Sequence, residues 1–531
     1  MKTVLELNLG FADAENYKRR ENKALFNTIF FRNSYLDDLL ELSRFFLIGE
    51  KGTGKTAYAV FLSNNDYKNT VSQIKYIRET DYQQFVFLKK EKHLQLSDYT
   101  NIWKVIIMLL LSKAIEEKEL DNSIFSKSTK MKTLMKAIDD YHNNAFTPEI
   151  LTALSWIKND KMAAEIVYKN FKLGGEEGST FTFNEQHFQT NLNYIQKKFE
   201  EALCGLKLSK NRILFIDGID IRPGSIPYDD YLECIKGLAN AVWALSNDLF
   251  PTIKDSDGRL RVILLIRPDI FNSLALQNQS NKIRDNAVFL DWRTTYPSYR
   301  TSQLFFLSDR LFSAQQEDTK ELGYCWDQYF PWKIKTSYPD GTDDDSFISF
   351  LRISYSRPRD IITAVQILRD QILKKNQGHV RLFDKELTES NEFKNSYSEY
   401  LMSGIKDQLA FYYSEKDYEM FLQFFNYFDG YFEFSYEHYK KAYEKFTDLI
   451  LEKHDRIPEF VESEENFLQF LYDSNIISYV EETDRGEFLF RWCYRERSIS
   501  NFFPKVKLGL TYRIHYGLLK ALNFGYQRRK L

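Results

Sequence analysis

The chain has 531 residues, 43% of them hydrophobic and 28% charged, which is typical of a folded protein of several domains and excludes a disordered or collagen-like chain. Its 72 Lys and Arg residues nearly balance its 75 Asp and Glu residues, so any contact with nucleic acid would have to come from a local basic patch. The four cysteines form no close pair, which argues against a zinc ribbon or a secreted disulfide framework and favours a cytoplasmic location.

The N-terminal residues and the most apolar segment predict neither export nor a membrane span. Glu6, Asp13 and Glu15 interrupt the stretch that a signal peptide would keep apolar. The most apolar run, residues 105–111, is far shorter than the roughly 20 residues that a membrane helix requires. We therefore expect no membrane contact, and a buried core helix over residues 102–115.

The first predicted strand, residues 44–49 (RFFLIG), leads into a glycine-rich loop and then a helix. The loop matches the Walker A phosphate-binding pattern G-x-x-x-x-G-K-[ST], in which glycines let backbone amides approach phosphate, the lysine contacts the terminal phosphates and the last hydroxyl holds Mg²⁺. The matching residues are Gly49, Glu50, Lys51, Gly52, Thr53, Gly54, Lys55 and Thr56. We expect the Lys55 side chain to face solvent. The alternative is a flexible glycine turn with an ordinary surface lysine.

A second strand is predicted at residues 85–88, and the charged, helical stretch at about 116–206 predicts a helical insertion. The next strand, residues 212–217 (RILFID), ends in Asp217, an expected Mg²⁺ ligand, and Asp220 could polarise the attacking water. Gly218 stands directly after Asp217, where many ATPases carry a hydrolytic glutamate. An unrelated strand that ends in aspartate is the alternative.

Further strands at residues 261–266 and 287–290 alternate with helical stretches, which predicts an α/β fold with a mostly parallel sheet. Arg267 follows the first of these strands, at the sheet edge where ligands bind in open α/β folds, and could sense the terminal phosphate. Arg357 and Arg359 flank a proline at a predicted helix start and could reach the nucleotide. For all three arginines, an ion pair with a nearby acid is the alternative.

These elements predict four regions of the chain. They are an N-terminal helical segment (1–43), a P-loop ATPase core with its insertion (44–300), a helical lid (301–377) and a winged-helix-like C-terminal domain (378–531). His515 has no metal-ligand spacing to another His or Cys, so we expect it to be packed in the core.

A hairpin of residues 476–480 and 487–494 is predicted in the last region. Strand alternation assigns Phe488, Phe490, Trp492 and Tyr494 to a packing face, and Arg491, Cys493 and Arg495 to a charged face. Together with other basic residues this face could follow DNA phosphates, although a solvated charged surface explains it equally well. These other residues are Lys505, Lys507, Arg513, Arg528, Arg529 and Lys530.

The order GEKGTGKT, FIDGID, LLIRPD and SRPRD, followed by a winged-helix-like segment with YRIHYGLLKAL, resembles a bacterial family of P-loop ATPases related to the STAND and KAP branches. The resemblance covers most of the chain. It implies ATP rather than GTP as ligand, and it implies a component of a bacterial antiviral defence locus. Asp220 stands where many relatives of the broader class have glutamate, which suits slow turnover.

The sequence therefore predicts a regulatory ATPase that binds Mg²⁺ and ATP and acts on a partner protein or on DNA, with a homo-oligomer as one arrangement. Two alternatives remain open. The first is a DNA-binding or scaffold protein that uses nucleotide as a structural ligand. The second is a loader that resembles origin-recognition ATPases, for which Arg310 is a candidate intersubunit arginine.

Overall fold

The computed structural model describes residues 1–77 and 96–115 and, with gaps of one to seven residues, 193–525. The strand predicted at 85–88 and nearly all of the predicted helical insertion lie outside the described residues. The chain forms two compact units. The sheet unit contains Ser34–Ile48 and Lys55–Phe289, and the C-terminal unit contains Met1–Asn33, Gly49–Gly54 and Leu290–Leu531.

Strands in the described residues are β1 (Phe46–Ile48), β2 (Thr70–Tyr76), β3 (Asn211–Asp217), β4 (Leu260–Ile266), β5 (Ala287–Phe289), β6 (Lys333–Lys335), β7 (Asp343–Asp345), β8 (Glu433–Ser435), β9 (Ile477–Glu482), β10 (Phe488–Trp492) and β11 (Thr511–Ile514). Their α-helices are α1 (Lys23–Ile29), α2 (Ser34–Asp38), α3 (Lys55–Asn64), α4 (Leu96–Ala114), α5 (Tyr228–Ala244), α6 (Pro268–Ser273), α7 (Gln279–Asn286), α8 (Gln303–Ser313), α9 (Tyr324–Tyr329), α10 (Ser346–Ile353), α11 (Pro358–Lys374), α12 (Lys385–Glu389), α13 (Asn391–Leu409), α14 (Glu415–Gln423), α15 (Tyr436–Lys453), α16 (Glu464–Asp473) and α17 (Cys493–Glu496).

The sheet unit is built on a five-stranded sheet in the order β2-β3-β4-β1-β5, and every neighbouring pair is parallel. The prediction of an α/β fold with a mostly parallel sheet is confirmed. All seven residues of β4 are buried, as expected for a strand covered on both faces by helices. β1 lies between β4 and β5, so the chain leaves it toward β2 on one side and returns to β5 on the other. This reversal of strand order is the position where open α/β sheets bind ligands.

β2 was not predicted from the sequence. Its sequence, TVSQIKY, mixes polar and apolar residues, and among the described strands it pairs only with β3. Of its seven residues only Thr70 and Ser72 are buried, so it lacks the continuous apolar run that marked β3 and β4.

The core helix expected at residues 102–115 lies within α4, which packs against α5. The buried Trp103 indole donates a 3.1 Å hydrogen bond to the Cys234 carbonyl of α5. Of the helices in the described part of the chain, none is long and apolar enough to cross a membrane.

The C-terminal unit contains a four-stranded antiparallel sheet in the order β10-β9-β11-β8. Tyr512 on β11 faces Phe434 and Tyr479 across the ladder, and all three side chains are buried. A separate hairpin joins β6 and β7 antiparallel.

The expected faces of the C-terminal hairpin need two corrections. β10 ends at Trp492, and the next four residues form α17, so Cys493, Tyr494 and Arg495 do not continue the strand alternation. Phe488 is 63% exposed, so the supposed packing face packs only at its Trp492 end, where the indole ring lies 4.9 Å from the His515 ring. His515 is buried as expected, and burial lowers its pKa to about 3.

Candidate functional site

The phosphate-binding pattern forms the connection between β1 and α3. β1 ends at Ile48 and α3 begins at Lys55, which is the strand, loop and helix order that the sequence predicts. Gly52 has a φ of +90°, and a Cβ there would lie 3.2 Å from the Arg359 Cβ. A side chain at position 52 would therefore be strained and crowded.

Thr56 and Asp217 are 161 positions apart in the chain, yet the Thr56 hydroxyl donates a 2.7 Å hydrogen bond to Asp217 Oδ2. Thr56 lies in the first turn of α3, and Asp217 is the last residue of β3. Burial raises the pKa of Asp217, and the hydrogen bond from Thr56 opposes this rise. The two predicted metal ligands are therefore adjacent, and a cation beside them would favour the charged form of the buried carboxylate.

The residue after Asp217 is constrained to glycine by its surroundings. Gly218 has a φ of +89°, and a Cβ there would lie 2.5 Å from the Ile77 carbonyl oxygen. Its backbone N–H donates a 2.8 Å hydrogen bond to Asp217 Oδ1. The absence of a glutamate at this position thus has a steric cause, since no side chain fits there without moving the backbone.

Lys55 and Asp220 both act electrostatically on Asp217. The positive charge of Lys55 lowers the pKa of Asp217, and the negative charge of Asp220 raises it, although burial has the largest effect. Asp220 is half-buried in the turn that follows β3. Lys55 is 8% exposed, so the expectation of a solvent-facing side chain is wrong: the buried positions of α3 begin at its first residue.

Arg267 stands between the end of β4 and the start of α6, as the sequence places it. Its side chain is 4% exposed and forms an ion pair with Asp269, with an Nε to Oδ1 distance of 3.0 Å. The Arg267 guanidinium thus lies at the carboxyl end of a central strand and is held by Asp269.

The other two predicted arginines lie in the C-terminal unit, which also contains the loop residues Gly49–Gly54. Arg357 donates from Nε and Nη2 to both oxygens of Asp360, at 2.9 and 3.0 Å, and from Nη1 to the Lys51 carbonyl at 3.0 Å. The Arg359 backbone N–H donates to the Gly52 carbonyl at 3.3 Å, while its side chain donates to the Ala12 carbonyl. Arg357 therefore contacts the loop through its side chain, and Arg359 contacts it through its backbone.

Three loop partners were missed by sequence reasoning. The Trp292 indole donates a 2.8 Å hydrogen bond to the Thr53 carbonyl, 239 positions away. Lys51 Nζ lies 2.5 Å from Asp407 Oδ2, and Arg497 forms an ion pair with Glu50. No motif marks these residues, because a side chain that binds a loop carbonyl or a single charge needs no fixed spacing.

Three of the basic residues predicted to follow DNA are paired with acids. Arg491 and Lys507 both pair with Glu481, and Arg513 pairs with Glu433. Arg528, Arg529 and Lys530 lie outside the described residues. At these three positions the positive charge is therefore already compensated within the protein, which weakens the case for phosphate contacts there.

Neither a protein-family model nor a curated protein matches the chain.

Proposed function

We propose that this protein is a Mg²⁺-dependent ATPase of the P-loop class that works as a nucleotide-driven switch on a partner protein. The hydrogen bond between Thr56 and Asp217 carries the proposal. A hydroxyl at a helix start and a carboxylate at a strand end are oxygen ligands of the kind that Mg²⁺ takes in phosphoryl-transfer sites. An unrelated glycine turn and an unrelated aspartate would have no reason to meet across 161 positions.

Each residue of the site has a separate role in this proposal. Backbone amides of the loop and the Lys55 ammonium bind the phosphates, while Thr56 and Asp217 hold the cation. Asp220 orients the attacking water, and Arg267 senses the terminal phosphate. The bound cation neutralises charge on the phosphates during transfer.

Slow turnover follows from the constraint at Gly218. Because position 218 accepts no side chain, the only acid in the segment 218–220 is Asp220. A shorter side chain two residues further along is a less direct water-orienting group than a glutamate next to Asp217. Slow hydrolysis suits a switch, since the lifetime of the ATP-bound state then sets the duration of the signal.

Calorimetry with Mg²⁺-ATP, with Mg²⁺-ADP and with ATP in EDTA tests this proposal. We expect the wild-type protein to bind ATP more tightly with Mg²⁺ than without it, and Thr56→Val to lose this difference. Thr28→Val is the matched control, since it removes a hydroxyl that donates to the Ala24 carbonyl in α1. Equal binding with and without Mg²⁺ in the wild-type protein would contradict the proposal.

The use of nucleotide only as a structural ligand is the main competing function, and turnover separates the two. Phosphate release by the wild-type protein that Asp220→Asn lowers supports the ATPase. Tight binding without phosphate release supports a structural ligand.

The defence role, and ATP rather than GTP, rest on the family resemblance of the motifs. A loader that resembles origin-recognition ATPases would need an arginine supplied to a second copy, and the candidate Arg310 donates instead to the Thr28 carbonyl at 3.0 Å.

A further inference from the structure

Glu50, the second residue of the phosphate-binding loop, forms a partly buried ion pair with Arg497. The Arg497 side chain is 8% exposed and the Glu50 side chain 21%. The two residues are 447 positions apart and belong to the same compact unit. Buried pairs of this kind are far less screened than surface pairs, so each partner is strongly constrained by the other.

The other donors of the Arg497 side chain bind acceptors within the C-terminal unit. Nη2 donates to the carbonyl of Asp473, the last residue of α16, at 3.4 Å and to Cys493 Sγ of α17 at 3.3 Å, and Nε donates to the Phe502 carbonyl at 3.2 Å. Arg497 itself follows α17, the short helix that continues β10. A planar guanidinium with fixed donor directions thus joins the loop to the end of α16 and to the segment that follows β10.

Other arginines surround the same carboxylate electrostatically. Asp291 raises the pKa of Arg293 most strongly, and Glu50 adds to that rise. Burial opposes the charge on Arg357, but Asp360 and, to a smaller extent, Glu50 raise its pKa above the usual value. Glu50 therefore lies in a positive environment, and moving it away from Arg497 would leave the arginine charges less compensated.

We propose that Arg497 is the residue through which the state of the phosphate-binding loop is transmitted to the end of α16 and to the segment that follows β10. The inference rests on the proposed function, since it assigns a regulatory output to the same nucleotide loop. Phosphate binding orders the loop backbone, and Glu50 moves with that backbone. Arg497 then takes a different set of acceptors, which changes the stability of the end of α16 and of the segment after β10 that it binds.

Nucleotide can shift the segments that Arg497 binds only through a difference in contact energy between two arrangements. A buried ion pair supplies such a difference, because partial separation costs much more in a protein interior than in water. Contacts from Arg357 and Trp292 to loop carbonyls position the same segment, whereas Arg497 also binds the carbonyl of Asp473 at the end of α16. Arg497 is therefore the positioning residue that we single out for the test.

Hydrogen exchange across residues 464–498, with and without a non-hydrolysable ATP analogue, tests the inference on the full chain. We expect the analogue to change exchange in this segment of the wild-type protein. Arg497→Gln should lose that change while still binding the analogue in calorimetry, and Glu50→Gln should lose the change as well. The double variant should behave as either single one does, because the two substitutions remove the same interaction.

Arg513→Gln is the matched control, since Arg513 also pairs with a glutamate in this unit but on β8, away from the loop. It should keep the nucleotide-dependent change. Retention of the change in both Glu50→Gln and Arg497→Gln would overturn the inference and leave the proposed function standing. If the wild-type protein does not bind the analogue, the proposed function fails and this inference fails with it. If Arg497→Gln does not fold, Glu50→Gln decides alone, because it keeps the arginine and removes only the charge facing it.

Discussion

Each unit holds a buried aspartate close to a cationic side chain, and the two carboxylates differ in how their charge is satisfied. In the C-terminal unit the Asp360 carboxylate accepts two hydrogen bonds from Arg357, one from the Tyr400 hydroxyl and one from the Tyr355 backbone N–H. Both oxygens are thus fully used within the protein. We call these residues the closed cluster.

The sheet unit holds what we call the open cluster: Lys55, Thr56, Asp217 and Asp220. The Asp217 carboxylate accepts one hydrogen bond from Thr56 and one from Gly218. Burial raises its pKa, and a second negative charge at Asp220 raises it further. Burial of an acid therefore does not mark a functional site by itself. A carboxylate that still gains from a cation is a site, while one already saturated by an arginine belongs to the framework.

The largest expected effect is on stability and comes from breaking the closed cluster. Arg357→Ala leaves Asp360 buried without its ion-pair partner, which should lower the free energy of unfolding by about 3–5 kcal/mol. Chemical denaturation measures this change. Arg359→Ala is the control, since that side chain is half-buried and donates to a single carbonyl. If Arg357→Ala keeps wild-type stability and instead abolishes the difference between ATP and ADP, Arg357 is a phosphate sensor after all.

The next largest effect is expected on binding, in the open cluster. Lys55→Ala should weaken ATP binding by about 10- to 100-fold, as expected for loss of a charge-assisted contact worth about 1.5–3 kcal/mol. Its cost to stability should be smaller than that of Arg357→Ala. Lys68→Ala is the control, because Lys68 pairs on the surface with Asp37. Unchanged calorimetric binding by the Lys55 variant would mean that the loop does not bind phosphate.

A third effect, on turnover, should distinguish Asp220 from Asp217 within the open cluster. Asp220→Asn should lower the turnover number by at least about tenfold, equivalent to about 1.4 kcal/mol in the transition state, with little change in binding. A group that orients water acts mainly in the transition state, so the loss should appear in turnover rather than in affinity. Wild-type turnover in this variant would show that Asp220 is not the water-orienting acid.

The smallest effect is a gain of stability with a defined pH dependence. Burial raises the pKa of Asp217 above that of the unfolded chain, so its ionisation destabilises the fold. The contribution is most favourable in acid, below the unfolded pKa, and is lost as pH rises through the folded pKa. Without Mg²⁺, the free energy of unfolding of Asp217→Asn should therefore exceed that of the wild type at neutral pH by about 1 kcal/mol. This is the usual size of the stability that a protein gives up to keep a functional residue.

Thermal unfolding from acid to neutral pH measures this difference. The advantage of Asp217→Asn should shrink toward acid pH, and Mg²⁺-ATP should reverse it by stabilising the wild-type protein alone. A constant difference across the pH range would show that the Asp217 carboxylate is not the group responsible.

Apolar runs alone were enough to locate four of the five strands in the parallel sheet. β1, β3, β4 and β5 each read as continuous hydrophobic segments, because both faces of a parallel sheet are covered. β2 was missed because Thr70, Ser72, Gln73 and Lys75 interrupt its apolar positions. The end of β10 was misplaced, since the pairing that stops at Trp492 depends on packing against residues distant in sequence, such as His515.

The sequence by itself determined the residues of the open cluster. A phosphate-binding loop needs its glycines, its lysine and its threonine at fixed spacing, and a metal-binding aspartate needs the end of a buried strand, so both patterns are local and readable. The Arg357–Asp360 pair is local as well, since the two residues are three positions apart. Only the tertiary structure decided that Glu50 engages Arg497, 447 positions away. Charge pairing depends on distance in space, and a sequence records that distance only for neighbours within one element.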